Sequence, residues 1–319
     1  MGKILISSSH FDTLCMDAWK LIESRGHEVI YDPSRGFPAY TSEELKAILP
    51  DIDGTLIGLD HYTEELFAAA PKLKAVAKFG VGVDNIDVEA ATRHGVRVIN
   101  APGINSNSVA ELAVAFMLDL LRSVVPLHVK MGQGVWQRFI GSELKGKTVG
   151  LLGFGAIARS VAEKLRAFDA NVIAFDLYPN QKAADQLHVR LTTMDEVLET
   201  SDIVSIHVPA TEDTYHLFCA ETFARMKKGS YLVNTARGAL VNLEDLKEAL
   251  LSGQLAGAAL DAFEEEPLPV DSPIFQCPNL ILTPHTGAET ADSYRRVALA
   301  TCECICDVLD GKEPRFHVN

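Results

Sequence analysis

The chain is short of positive charge. Against 43 Asp and Glu it sets 29 Lys and Arg, a formal net charge of −14 over 319 residues. That balance excludes a general affinity for nucleic acid or for an anionic membrane surface, and an acidic small substrate would need a local cationic pocket. Cysteine is sparse too: there are six, none at metal-ligand spacing, so no metal site is expected. Cys302, Cys304 and Cys306 alternate along an expected last helix, where residues two apart point about 200° apart, so the three thiols cannot share one face. They read as small buried or half-buried residues of a cytoplasmic protein. Cys15, Cys219 and Cys277 are isolated and receive no role. No apolar run approaches the roughly 20 residues of a membrane-spanning helix. The stretch Met1–His10 is too short and too polar for a signal peptide. Fixed-period repeats and low-complexity tracts are absent.

What is present is the composition of a globular protein, 47% hydrophobic and 23% charged, at a length that suits two domains rather than one core. Strand-like and helix-like segments alternate from the start. Lys3–Ser7, His27–Tyr31, Gly54–Gly58, Ala75–Phe79 and Val96–Ile99 read as strands. An amphipathic helix over Asp12–Arg25 is stopped by Gly26, and Thr41-Ser42-Glu43-Glu44 opens another with a capping-box pattern. This is a small open α/β sheet whose strands end in Ser, Gly and Lys, as suits ligand-binding carboxyl ends. Ala101-Pro102-Gly103 breaks the pattern. A strongly apolar helix, Ser108–Leu121, follows, its Leu/Val/Phe stripe at 112–121 suited to packing and to a subunit face. Further strands are expected near 148–152, 171–175, 203–206, 230–234, 256–260 and 280–282, and a final helix over Glu289–Leu309. The expected fold is α/β, two Rossmann-like or flavodoxin-like domains with doubly wound parallel sheets. Residues 1–100 with 290–319 form a discontinuous substrate domain and 101–289 a nucleotide domain. The active-site cleft is placed between them, where hinge closure would exclude water. Trp136 is read as a packing residue.

The most informative segment is Gly150-Leu151-Leu152-Gly153-Phe154-Gly155-Ala156-Ile157-Ala158. The buried strand Thr148–Leu152 runs into Gly153-x-Gly155-x-x-Ala158 and then into a helix. Gly153 permits the tight turn, Gly155 lets the backbone approach a pyrophosphate, and Ala158 allows close helix–strand packing. The phosphates would sit on the helix N-terminus. A second strand, Asn171–Phe175, ends in Asp176, whose carboxylate suits ribose hydroxyls and would repel a 2′-phosphate. With no Arg close behind it, the cofactor reads as NAD.

Three polar residues stand at the ends of late strands: Arg237, Glu266 and His285. An Arg can hold a substrate carboxylate bidentately. A His can give a proton to a carbonyl oxygen as hydride arrives, and a carboxylate beside an imidazole orients the ring and favours its charged form. The alternative for each alone is bland: a helix-start Arg, a solvated acid among Glu264-Glu265-Glu266, a satisfied buried His.

Asn234-Thr235-Ala236-Arg237-Gly238, Asp261-x-Phe263-x-x-Glu266-Pro267 and Pro284-His285-x-Gly287 resemble the signatures of the D-isomer-specific 2-hydroxyacid dehydrogenases. So do the glycine segment, Val208-Pro209 with Thr211 and Thr214, and Ser108-Val109-Ala110-Glu111. The similarity runs over nearly the whole chain, in order. It implies that Arg237 binds the substrate carboxylate, that His285 is the acid/base and that Glu266 is its partner. Asp261 would lie near the nicotinamide. Gly153, Gly155, Ala156, Ile157, Asp176, His207, Val208, Pro209, Thr214, Thr235, Ala236, His285 and Ala288 would join it around NAD. Lys78 and the backbone of Gly80-Val81-Gly82 would hold substrate. D stereochemistry and a homodimer are implied by the resemblance alone.

The run Lys78–Asp87 looks most like phosphoglycerate dehydrogenases. Gly58-Leu59-Asp60-His61, however, lacks the Arg that many of them carry after this strand, and Asp60 would repel a phosphate. A phosphorylated 3-carbon hydroxy acid therefore stands level with glyoxylate, hydroxypyruvate or a larger 2-keto acid. From other classes, an NAD-sensing protein without turnover remains as an alternative. A different adenosine ligand such as S-adenosylmethionine would leave Arg237, Glu266 and His285 unexplained.

Overall fold

The computed structural model describes residues 1–35 and 40–319. The chain divides into two compact units, Met1–Asn105 with Ala288–Asn319, and Ser106–Gly287. Each contains one parallel sheet.

In the first unit five strands, β1 (Lys3–Ile6), β2 (Glu28–Ile30), β3 (Gly54–Ile57), β4 (Ala75–Lys78) and β5 (Arg97–Ile99), lie in the order β2-β1-β3-β4-β5. Every pairing is parallel. Alternation of side chains fills two cores, one on each face of the sheet. Leu5, Val76 and Val98 point into one, and Ile4, Ile6, Ala75 and Ala77 into the other. The second is closed by the helix Ala291–Leu309, whose Thr290 cap accepts the Ser293 amide at 3.1 Å. Cys302, Cys304 and Cys306 are all buried in that core.

One early helix departs from expectation. The segment 11–24 is two helices, Phe11–Leu14 and Met16–Ser24, broken at Cys15 (φ −115°, ψ 26°). Cys15 is buried, and its thiol points at the Tyr294 carbonyl of the closing helix, 3.7 Å away.

The second unit has seven strands: β6 (Thr148–Leu152), β7 (Asn171–Phe175), β8 (Arg190–Leu191), β9 (Ile203–Ile206), β10 (Ser230–Asn234), β11 (Leu255–Leu260) and β12 (Leu280–Leu282). Their order is β12-β11-β10-β9-β6-β7-β8, again parallel throughout. The strand order reverses at β6, with β7 on one side and β9 on the other. The carboxyl ends of β6 and β9 therefore flank a topological switch point, the usual crevice for a ligand. β8, two residues long, is too short to show a hydrophobic period and is absent from the sequence reading.

The helix Ser106–Arg122 lies against this sheet with Ala113, Val114, Phe116, Met117, Leu120 and Leu121 buried in its core. The apolar stripe at 112–121 thus packs in the core, as its pattern suggests. The exposed apolar surface begins just beyond it. Val124, Val125, Val129 and Met131 of the helix Val124–Gly132 are each about half exposed or more, and Trp136 (82%) and Ile140 (97%) stand almost free. The expectation that Trp136 packs within the chain is overturned, because no element of the second unit lies over it. Among the described residues, no single helix is long and apolar enough to cross a membrane.

Candidate active site

Parallel strands put all their carboxyl ends on one edge, so the second unit gathers there the residues following β6, β7, β9, β10, β11 and β12. At the end of β6, Gly153 has φ +89° and donates its amide to Phe175 O at 2.8 Å. A Cβ at this position would come within 2.6 Å of His207 O, so the crossing of the β6 and β9 ends leaves room only for glycine. Gly155 caps the helix Ala156–Arg166 in extended conformation, and a Cβ there would meet nothing within 4 Å. The helix N-terminus thus opens on space, with no acidic residue in its first turn, as an anion cradle requires. Ala156 is exposed and Ile157 half-buried beside it.

Asp176, just past β7, accepts the Phe154 amide at 2.6 Å and the Tyr178 amide at 2.7 Å. The carboxylate is therefore oriented against the glycine turn, and each oxygen retains further lone-pair capacity for a ribose hydroxyl. His207, past β9, donates its amide to Leu152 O at 2.7 Å, and its Nε2 lies 3.0 Å from Ser205 Oγ. Burial pushes its imidazole down to about 4, so it is a neutral wall, not a cation. Val208 and Pro209 follow it on the same edge. The Thr214 hydroxyl donates to Pro209 O at 2.8 Å and accepts the Thr211 amide at 2.8 Å, closing the 209–214 turn. Past β10, the Thr235 Oγ1 is buried without a hydrogen-bond partner, a cost that a ligand at this edge would relieve. Ala236 lies half-buried beside it, its amide held by Asn234 Oδ1 at 3.0 Å. The glycine cradle, the open helix end and the orphaned Thr235 hydroxyl fit a dinucleotide along this edge.

The groups expected to be reactive follow the ends of β10, β11 and β12. Arg237 is held by its backbone: Asn234 Nδ2 donates to its carbonyl at 2.8 Å. Its guanidinium donates to Ala236 O at 2.8 Å. The next residue, Gly238, packs so closely on the segment after β11 that a Cβ would sit 1.9 Å from Phe263 C. That contact ties Arg237 to the loop carrying Glu266. The Phe263 amide donates to Glu266 Oε1 at 2.9 Å, and His285 Nδ1 lies 3.0 Å from Oε1 and 2.9 Å from Oε2. A carboxylate only accepts, so Nδ1 carries the proton of this bond and Nε2 is the nitrogen left for substrate. Desolvation pushes the Glu266 carboxyl up. The bonds from His285 and the Phe263 amide, with the Arg237 charge, outweigh it and hold the group below its ordinary value. The His285 and Glu266 side chains are 41% and 25% exposed, open enough to meet a ligand.

Two features here go beyond the sequence reading, which placed Asp261 only near the nicotinamide. Asp261, at the end of β11, is buried and is bonded to the loop that carries His285. His285 itself has φ +52°, the left-handed region that few non-glycine residues adopt. Neither leaves a local pattern, since each depends on partners more than 20 positions away.

The remaining expected residues lie in the first unit. Lys78, at the end of β4, donates its Nζ to Gly58 O, and Asn85 Nδ2 bridges Gly58 O at 3.2 Å and Asp60 O at 2.7 Å. Gly80 (φ +154°) spends its amide on Lys78 O at 2.8 Å and accepts from Ala101. Of the three amides expected to hold substrate, that of Gly80 is thus already engaged. Ala288 begins the returning segment. Asp60 is buried, bonded to the Ser7 hydroxyl and to the Tyr40 amide at 3.3 Å.

Residues 114–287 match the family model for the NAD-binding domain of D-isomer-specific 2-hydroxyacid dehydrogenases. Over 300 residues the chain is 38% identical to the glyoxylate reductase of Thermofilum pendens, covering 92% of this chain and 88% of that protein. It is 39% identical to the D-3-phosphoglycerate dehydrogenase of Methanocaldococcus jannaschii, an alignment that covers 100% of this chain but only 60% of that relative. The crystal structure of a Thermus thermophilus protein superposes with a TM-score of 0.90 at 34% identity, over 99% of this chain and 100% of that one. With a glycine cradle at the switch point and an imidazole–carboxylate pair beside an arginine, this chain belongs to the D-isomer-specific 2-hydroxyacid dehydrogenase family and is an NAD-dependent oxidoreductase.

Proposed function

We propose that the substrate is a small unphosphorylated 2-keto acid of the glyoxylate or hydroxypyruvate kind, reduced to its D-2-hydroxy acid. The observation that carries the reaction is the His285–Glu266 pair at 2.9–3.0 Å, with the Arg237 charge felt at the same carboxylate. Arg237 takes the substrate carboxylate in its fork and draws electron density from the keto oxygen. His285 Nε2 gives a proton to that oxygen, and Glu266 holds the ring in register and stabilises its charge. When bound, reduced NAD supplies the hydride that reaches the carbonyl carbon, so one hydride and one proton convert C=O to CH–OH. Gly153, Gly155 and the helix end hold the pyrophosphate, Asp176 the ribose, and His207, Val208, Pro209, Thr235 and Ala236 the rest of the pocket wall.

Asp60 supports the absence of a phosphate on the substrate. It is a buried acid at the carboxyl edge of the first sheet, beside Ser7 and Tyr40. A phosphate of nearly two negative charges would be repelled there. The assembly is proposed to be a homodimer, supported by the cluster of exposed apolar side chains between Val124 and Ile140, the kind of surface that marks a protein–protein contact. A cytoplasmic location is supported by six free cysteines, four of them buried.

The test is a steady-state screen of 2-keto acids with NADH, with phosphohydroxypyruvate included, and His285→Ala as control. Turnover of unphosphorylated acids at a kcat/KM at least tenfold above phosphohydroxypyruvate is expected, abolished by His285→Ala with NADH binding retained. Preference for phosphohydroxypyruvate would overturn the substrate assignment. Tight NADH binding with no turnover of any acid would point to an NAD-sensing protein instead.

A further inference from the structure

We propose that Asp261 is a positioning residue that sets the angle of the His285 imidazole by clamping the backbone on both sides of it. The role rests on the reaction assigned above to His285.

Asp261 is fixed at the end of β11, its amide donating to Asn234 O of β10 at 2.9 Å. Its carboxylate is 2% exposed. Oδ1 accepts the Thr283 hydroxyl at 2.5 Å, the Thr286 amide at 2.8 Å and the Thr286 hydroxyl at 3.2 Å, and Oδ2 accepts the Gly287 amide at 2.7 Å. All four contacts are donors, and they lie before and after His285 in sequence. Between them the chain turns through the left-handed conformation of His285. Such a conformation is unfavourable for a non-glycine residue and persists only where its surroundings over-determine it. Here the surroundings are this one carboxylate and the His285 amide bonded to Thr283 O at 3.0 Å. Gly287 completes the device: a Cβ there would lie 2.9 Å from Asp261 Oδ2, so a side chain would push the amide off the acid. With Oδ1 carrying three bonds, the group is built to hold the loop, and its effect reaches the substrate through His285.

Asp261→Asn is the direct test. Its amide NH2 faces a backbone N–H where the acid had an acceptor, so at least one side of the clamp opens. We expect kcat at saturating NADH to fall at least tenfold. The double variant with His285→Ala should be no slower than His285→Ala alone, since two residues acting as a unit are not additive. A readout free of turnover is the low-field proton NMR signal of the His285 Nδ1–H bonded to Glu266, identified by its absence in His285→Ala. It should be present in the cofactor-free wild type and lost in Asp261→Asn. If Asp261→Asn does not fold, Thr283→Val removes one donor and should weaken the signal and kcat, with Thr283→Ser restoring both. A retained signal with unchanged kcat would overturn the proposal. So would a tenfold loss of NADH affinity with the signal intact, which would make Asp261 a cofactor ligand. If no keto acid is turned over by the wild type, the assigned reaction fails while the NMR comparison still decides the clamp.

Discussion

Gly238→Ala is the most demanding test of how the site is held together. The change adds one methyl group next to Arg237, at a position where a Cβ would sit 1.9 Å from Phe263 C, 2.2 Å from Glu264 N and 2.3 Å from Phe263 Cα. Ordinary contact begins near 3.4 Å, so the two backbones must part by on the order of 1.5 Å, and neither is a flexible side-chain end that yields cheaply. The segment displaced is the one whose Phe263 amide orients Glu266 at 2.9 Å. A retreat of even 1 Å stretches the His285–Glu266 bond, 2.9–3.0 Å in the native site, beyond useful range. A hydrogen bond to a charged group contributes about 1.5–3 kcal/mol, and misplacement by ~1 Å can cost about 10²-fold in rate. The expectation is a kcat/KM lowered about 30- to 300-fold. Overpacking should also reduce unfolding free energy by about 1–3 kcal/mol. NADH affinity should change little, since the glycine cradle lies at the ends of β6 and β9. The assays are steady-state kinetics with the best keto acid, NADH fluorescence titration and urea unfolding. A folded Gly238→Ala protein with kcat/KM within threefold of wild type would refute the coupling of Arg237 to the Glu266 loop.

Gly155→Ala is the counterpart: with open space around its Cβ and φ −73°, the variant should unfold at the wild-type midpoint yet bind NADH at least tenfold more weakly. Unchanged affinity would remove the helix end from the cofactor site. Arg237→Lys should lose at least 10²-fold in kcat/KM, because an ammonium cannot reproduce the two-pronged fork; near-normal kinetics would rule out the carboxylate clamp. His207 makes a prediction in pH. Its folded-state value, about 4 against an ordinary 6.5, means that the fold favours the neutral ring. The stability this brings is complete above pH 6.5 and is lost as pH falls towards 4, where the unfolded chain binds the extra proton. At about 1.4 kcal/mol per pH unit the loss is at most ~3.5 kcal/mol, an upper bound because the residue keeps partial solvent contact. Urea unfolding across that range should show a slope in wild type that His207→Asn lacks; equal slopes would refute it.

Much of this was legible in the chain itself, for physical reasons that operate locally. Buried parallel strands must be continuous apolar runs, so Thr148–Leu152, Asn171–Phe175, Ile203–Ile206 and Ser230–Asn234 announce themselves. The turn at Gly153 needs a residue free of Cβ, so the fingerprint stands in sequence. Arg237, Glu266 and His285 were readable because reactive groups of a doubly wound sheet follow strand ends, and strand ends can be found. The apolarity of 112–121 was equally visible, and Trp136 just beyond it was read as a packing residue. Which of the two is covered was not, because burial depends on what packs over a segment: the first lies on the sheet, and Trp136 is left 82% exposed. The same limit hid the Asp261 clamp and the Gly238–Phe263 contact. Their partners lie more than 20 positions away, and a hydrogen bond or steric contact of that span exists only after the strands have been laid side by side. Sequence determined the main elements, the cofactor class and the candidate reactive side chains, since these rest on period, turn chemistry and strand-end position. Only the tertiary structure decided how the imidazole is aimed and which apolar surface stays bare, since both are set by neighbours that the order of residues does not name.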